Sequence, residues 1–104
     1  MRRVRLSQAF VQVLKRHLRE GADRFGLATA RSIERKLDRA IFHHLPRSPL
    51  LGRRHNGLGR YVFHVPKTPF ILLYDFTERE LRMHLVVVAR SNWADAAGDA
   101  EKPD

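Results

Sequence analysis

The chain has 104 residues, 43% of them hydrophobic, which is enough for one domain with a single core and too little for two. Twenty Lys and Arg oppose 11 Asp and Glu, a net charge of +9 with the histidines neutral. The lack of cysteine excludes disulfides, thiol catalysis and cysteine-held zinc. The longest apolar runs are far shorter than the ~20 residues of a membrane span, so a soluble, cytoplasmic protein with no membrane association is expected.

Val4 and Leu6 alternate with arginines as a short strand would, and Ser7 is placed to cap a following helix. Over residues 8–20, Phe10, Val13, Leu14 and Leu18 recur at helical spacing, with His17 on the same stripe. Gly21 and Gly26 bracket an expected turn, GADRFG. A second helix is predicted over residues 27–45, burying Ala30, Ile33, Leu37, Ala40, Ile41, His44 and Leu45. Arg31, Arg35 and Arg39 form a basic ridge on its other side, and Pro46 is expected to end it. The short connection implies an antiparallel helix pair.

Residues 47–56, RSPLLGRRHN, read as a loop: either a structural connector or a basic edge that touches a partner. Residues 60–65 then alternate Tyr61, Phe63 and Val65 against Val62 and His64. Residues 70–76, FILLYDF, are a nearly continuous apolar strand covered on much of both faces. Residues 81–90 alternate Leu81, Met83, Leu85, Val87 and Ala89 against Arg82, His84, Val86, Val88 and Arg90. The expected fold is α+β: a short N-terminal strand, an antiparallel helix hairpin, then a three-stranded antiparallel meander with the helices on one sheet face. One domain over residues 1–93 is expected, with residues 94–104 a disordered acidic tail.

Charge narrows the partners. Sixteen of the cations are arginine, and four acids lie in the last ten positions. Through Trp93, 19 basic residues oppose 7 acidic ones, +12, beyond the magnitude of ~2–8 that solubility asks of a small domain. Such a body attracts nucleic acid or an acidic protein, and arginine pairs bidentately with phosphate and carboxylate.

The ordered set GLGRYVFHV, TPFILLYDF and LRMHLVVVAR, preceded by a helix and LPRSPLLGRR, resembles the RelE/ParE family of toxins from type II toxin–antitoxin systems. The resemblance runs over residues 3–93. It implies a toxin that arrests growth and a cognate small acidic antitoxin, with the ridge Arg31, Arg35 and Arg39 as an antitoxin contact. Plasmid stabilisation is the setting it suggests. One branch of the family cuts mRNA on the ribosome; if this chain were such an endoribonuclease, His64, Arg90 and Tyr74 would be its catalytic candidates. Val62 and Ile71 stand where those members carry basic residues. The ParE-like branch, whose members inhibit DNA gyrase without catalytic residues of their own, is closer. On that reading Arg53, Arg54, Arg60, Arg82, His84, Arg90 and Trp93 touch the target. The alternatives are the ribosome-dependent nuclease and a non-toxic basic nucleic-acid-binding domain.

Neither a cofactor nor a metal is implied. Six histidines without carboxylates at ligand spacing make a poor zinc site. His17 and His44 read as packing residues and His43 as solvated, whereas His64 and His84 read as surface histidines, with useful titration near neutral pH the second reading. Tyr74 reads as a packing residue, and Trp93 either covers the core edge or binds a partner.

Overall fold

Ser7 decides where the first strand stops and the first helix starts. In the computed structural model of the protein, which describes residues 1–89, β1 spans Arg3–Leu6 and α1 spans Gln8–Phe25. The Ser7 hydroxyl accepts the Phe10 N–H at 3.0 Å, satisfying one of the free donors of the first helical turn. The same hydroxyl donates to the His84 carbonyl at 3.0 Å, which ties the helix start to the last strand.

The first helix is longer than its pattern implies. It runs through Gly21, where a turn was expected, because one helix-interior glycine costs only about 1 kcal/mol and packing overrides it. Gly26 alone makes the turn. Its φ of 94° and ψ of 157° lie in a region open essentially to glycine, and it serves as C-cap of α1 and N-cap of α2, Leu27–Arg39.

From Arg39 the helix passes into a π turn, Ala40–His44, where the Leu45 N–H bonds the Ala40 carbonyl, and then into α3, Leu45–Arg47. The wider turn moves the buried stripe on by about one position. Ala40, Ile41 and Leu45 are buried, while His44, expected in the core, is exposed. Pro46, expected to end the helix, lies within its last turn. A 3-10 turn, Pro49–Leu51, leads to the sheet.

The strands that follow are β2 (Arg53–His55), β3 (Arg60–His64), β4 (Phe70–Phe76) and β5 (Glu80–Val88). They form a five-stranded mixed sheet in the order β1-β5-β4-β3-β2, with β1 parallel to β5 and the other pairs antiparallel. The expected three-stranded meander is thus its centre, widened by one strand on each side. β2 falls in the stretch expected to be loop, because RRH carries no apolar alternation to announce it.

The helices cover one sheet face. Phe10, Leu37, Ile41 and Leu45 pack with Leu72, Tyr74, Leu81, Met83 and Val86, all fully or nearly fully buried. The opposite face holds a smaller cluster, Ile71 and Leu73 beneath Leu58, Val62, Leu85 and Val87. The two faces exchange residues at a bulge. Leu73 pairs with Leu85, but Tyr74 pairs with Met83, so His84 is the extra residue. Leu81 and Met83 face the helices as expected, whereas Leu85, Val87 and Ala89 move to the other face and Val86 and Val88 take their place. The simple alternation over residues 81–90 is therefore corrected.

Candidate functional site

Cross-strand pairing assembles a charged row on the sheet face that the helices leave open. Directly paired residues share a face, so Arg5 lies beside Arg82, Arg82 beside Asp75, and His55 beside Arg60. Arg60 and Asp75 extend the register of the adjacent Tyr61–Tyr74 pair. The row therefore crosses all five strands: Arg5, Arg82, Asp75, Arg60 and His55.

Asp75 organises it. Its carboxylate accepts from Arg82 Nε at 2.6 Å and from Arg60 Nη1 at 2.9 Å. His84 Nε2 lies 3.0 Å from Asp75 Oδ2, close enough to pair ionically when the ring is protonated but not aligned for a hydrogen bond. Partial burial would by itself raise the Asp75 carboxyl. The hydrogen bond from Arg82, the approach of His84 and the charge of both outweigh it, holding the carboxyl below the usual carboxylate range. The bulge is what presents His84 beside Asp75. Arg5 is mostly exposed and reaches Glu80 at 3.3 Å. One carboxylate thus fixes a guanidinium group on either side of it and cancels only one of their two charges.

Next to this row the face turns apolar. Arg53, Val62, Leu73 and Leu85 form the second row, and His64, Ile71 and Val87 the third. The surface is half basic and half apolar, with its arginines held at fixed positions by strand pairing.

Of the residues expected to touch a target, Arg60, Arg82 and His84 converge on Asp75. Arg53 is exposed on the same face. Arg54 alternates to the helix side, its guanidinium carbon 5.8 Å from the centre of the Tyr61 ring. Arg90 and Trp93 lie outside the described residues. Arg5, His55 and Asp75 were not singled out from the sequence; the one signal was a lone acid inside the apolar strand FILLYDF.

Of the nuclease candidates, the two that are described, His64 and Tyr74, do not come together. The His64 ring, exposed in the third row, binds the Thr68 carbonyl through Nε2 at 2.8 Å. Tyr74 is fully buried on the helix face. Its hydroxyl donates to the Pro49 carbonyl at 2.5 Å and accepts the Gly52 N–H at 3.1 Å. Burial is the main reason its phenol is pushed up to about 12. Tyr74 is a clamp that holds the 3-10 turn and the start of β2 to the sheet, as its packing role implies.

Arg31, Arg35 and Arg39 are exposed along α2 at four-residue spacing, which stacks them on one side of the helix. His17 is half-buried with its ring 5.6 Å from Phe70, in keeping with packing, and His43 is exposed. Among the described residues no three His, Asp or Glu side chains are grouped to hold a metal, and no helix is long and apolar enough to cross a membrane. No family model and no curated protein matches this sequence.

Proposed function

We propose that this protein is the toxin of a type II toxin–antitoxin pair of the RelE/ParE kind, and that it arrests growth by binding DNA gyrase through its open sheet face. The observation that carries this reading is the row Arg5, Arg82, Asp75, Arg60 and His55 beside an apolar patch. Fixed cations next to apolar side chains suit an acidic protein surface, where charge steers the encounter and apolar contact holds it. The order of parts, a strand and a helix pair before a sheet, agrees with the family resemblance. The burial of Tyr74 and the separate placement of His64 favour binding over RNA cleavage, which needs a base, an acid and a phosphate clamp around one point.

The partner that restrains such a toxin is a small acidic antitoxin. A groove beside α2 suits it: Phe63, Val65 and Pro66 form an apolar wall, and Lys36, Arg39 and Lys67 a basic rim. An acidic segment with apolar anchors would be neutralised and buried there at once.

The test is a DNA supercoiling assay with purified gyrase, run with the unaltered protein and with Arg60→Ala/Arg82→Ala. Inhibition by the first and its loss in the folded double variant is the expected result. Unimpaired supercoiling, together with mRNA cleavage on added ribosomes, would transfer the assignment to the nuclease branch.

A further inference from the structure

On the helix side of the sheet, the end of α1 and the start of α2 stand away from the strands and leave a cleft of about 230 Å³. Its walls include Leu18, Ile33, Pro69, Phe70 and Val88, and the ring of His17 packs against Phe70 within it. Burial, then the charge of Arg16, hold the His17 imidazole below its usual value, so that wall is uncharged near neutral pH. Phe25, 64% exposed, stands at the mouth, and Arg24 and Glu20 form a polar rim.

The chain leaves β5 at this cleft. Val88 is part of the lining, and the Ala89 N–H bonds the carbonyl of Pro69, another lining residue, at 2.7 Å. Trp93, the one tryptophan of the sequence, follows four residues later, within about 14 Å of extended chain. Asp95 comes next but one, and Asp99, Glu101 and Asp104 follow. The described chain thus reaches residue 89 beside an apolar cleft with an arginine on its rim, and an aromatic residue followed by acids comes next in the sequence.

We propose that this cleft is the seat of Trp93 of the same chain, with the acidic residues after it drawn over Arg24 and the basic faces of the helices. A tryptophan suits such a site, because its ring is buried by apolar walls while its N–H keeps a polar partner at the rim. The docked tail neutralises part of the helix-side charge and leaves the open sheet face untouched. The inference withdraws Trp93 from the residues expected to touch a target and leaves the open-face row to that role; its test uses no target, so it stands or falls apart from the gyrase reading.

Because Trp93 is the sole tryptophan, its fluorescence reports the docking directly. The expected result is blue-shifted emission in the full chain with weak acrylamide quenching, both unchanged on dilution. Gly21 lines the cleft, and a Cβ added there meets nothing within 4 Å, so Gly21→Leu adds apolar bulk at the cleft from an open position and favours the helix. That variant, its fold checked by circular dichroism, should shift the emission to the red and raise quenching several-fold. Arg24→Glu, an exposed change, should do the same to a smaller degree and lose its effect in high salt. Emission in the unaltered protein equal to that of free indole overturns the proposal. So does a shielded Trp93 that ignores both substitutions, which would place it elsewhere. Shielding that disappears on dilution also overturns it, by assigning the cleft to a second copy.

Discussion

Replacing Tyr74 by Phe removes one oxygen atom and leaves two buried backbone groups without their partner. The hydroxyl stands between the Pro49 carbonyl and the Gly52 N–H, and all three residues are buried. Each orphaned group costs about 1–3 kcal/mol, so a total near 2–4 kcal/mol is expected if the loop relaxes slightly. That is a large part of the roughly 5–15 kcal/mol that holds a domain of this size together. At ~4–8 °C per kcal/mol, Tm should fall by roughly 8–32 °C. The assay is urea and thermal unfolding followed by circular dichroism, with Gly52→Ala as the second arm of a double-mutant cycle. A Cβ on Gly52 would stand 2.2 Å from the Tyr74 hydroxyl and 2.8 Å from the Val62 carbonyl. Gly52→Ala should therefore be harmful alone and less so in the Phe background, with a coupling of about 1 kcal/mol or more. A loss under about 0.5 kcal/mol for Tyr74→Phe, the size of a surface change, would refute the clamp. Growth arrest abolished at unchanged stability would instead return Tyr74 to catalysis.

Four further outcomes are expected. Ser7→Ala removes a helix cap and a bond to the bulge carbonyl, so unfolding in urea should show a loss of about 1–2 kcal/mol. Gly26→Ala forces a side chain into a backbone region nearly closed to it and should lose about 1–3 kcal/mol by the same measurement. The Asp75 carboxyl is lower in the folded than in the unfolded protein. Its contribution is therefore present above the unfolded value of ~3.9 and lost as pH falls through the lower folded one, a slope that Asp75→Asn should flatten in acid titrations of stability. Tyr74 has the opposite sense: its folded value of about 12 exceeds the unfolded one of ~10. Stability should decline from pH ~10 upward, and the phenolate absorbance of Tyr74 should appear late in a spectrophotometric titration.

The sequence makes the central strands legible because their apolar content alternates or runs unbroken; residues 70–76 coincide with β4. The helix pair is legible for the same reason. What it hides are single-residue irregularities. The bulge at His84 exchanges the faces of Leu85, Val86, Val87 and Val88, all of which are apolar, so the pattern is equally consistent with either phase. The π turn at Ala40–His44 likewise moves His44 out of the core without disturbing its apolar neighbours. The site was half visible: Arg60, Arg82 and His84 stood out as cations on strands. Arg5, Asp75 and His55 join them only through pairing between strands far apart in sequence, which no local pattern encodes.

The parallel contact between β1 and β5 also sets how late in translation the sheet can be completed. Among the described strands β1 is translated before the others, and its sheet neighbour, β5, after them. Until Glu80–Met83 emerge from the ribosome, Arg3–Leu6 has no strand to lie against and the apolar stripes of the helices lack most of their cover. Closing such distant segments is slow compared with forming the helices. The charged row takes Arg5 from the beginning of the chain and Arg82 from near its end, so no partial chain carries it. A ribosome that stalls before residue 80 releases a fragment with neither a finished core nor a binding face.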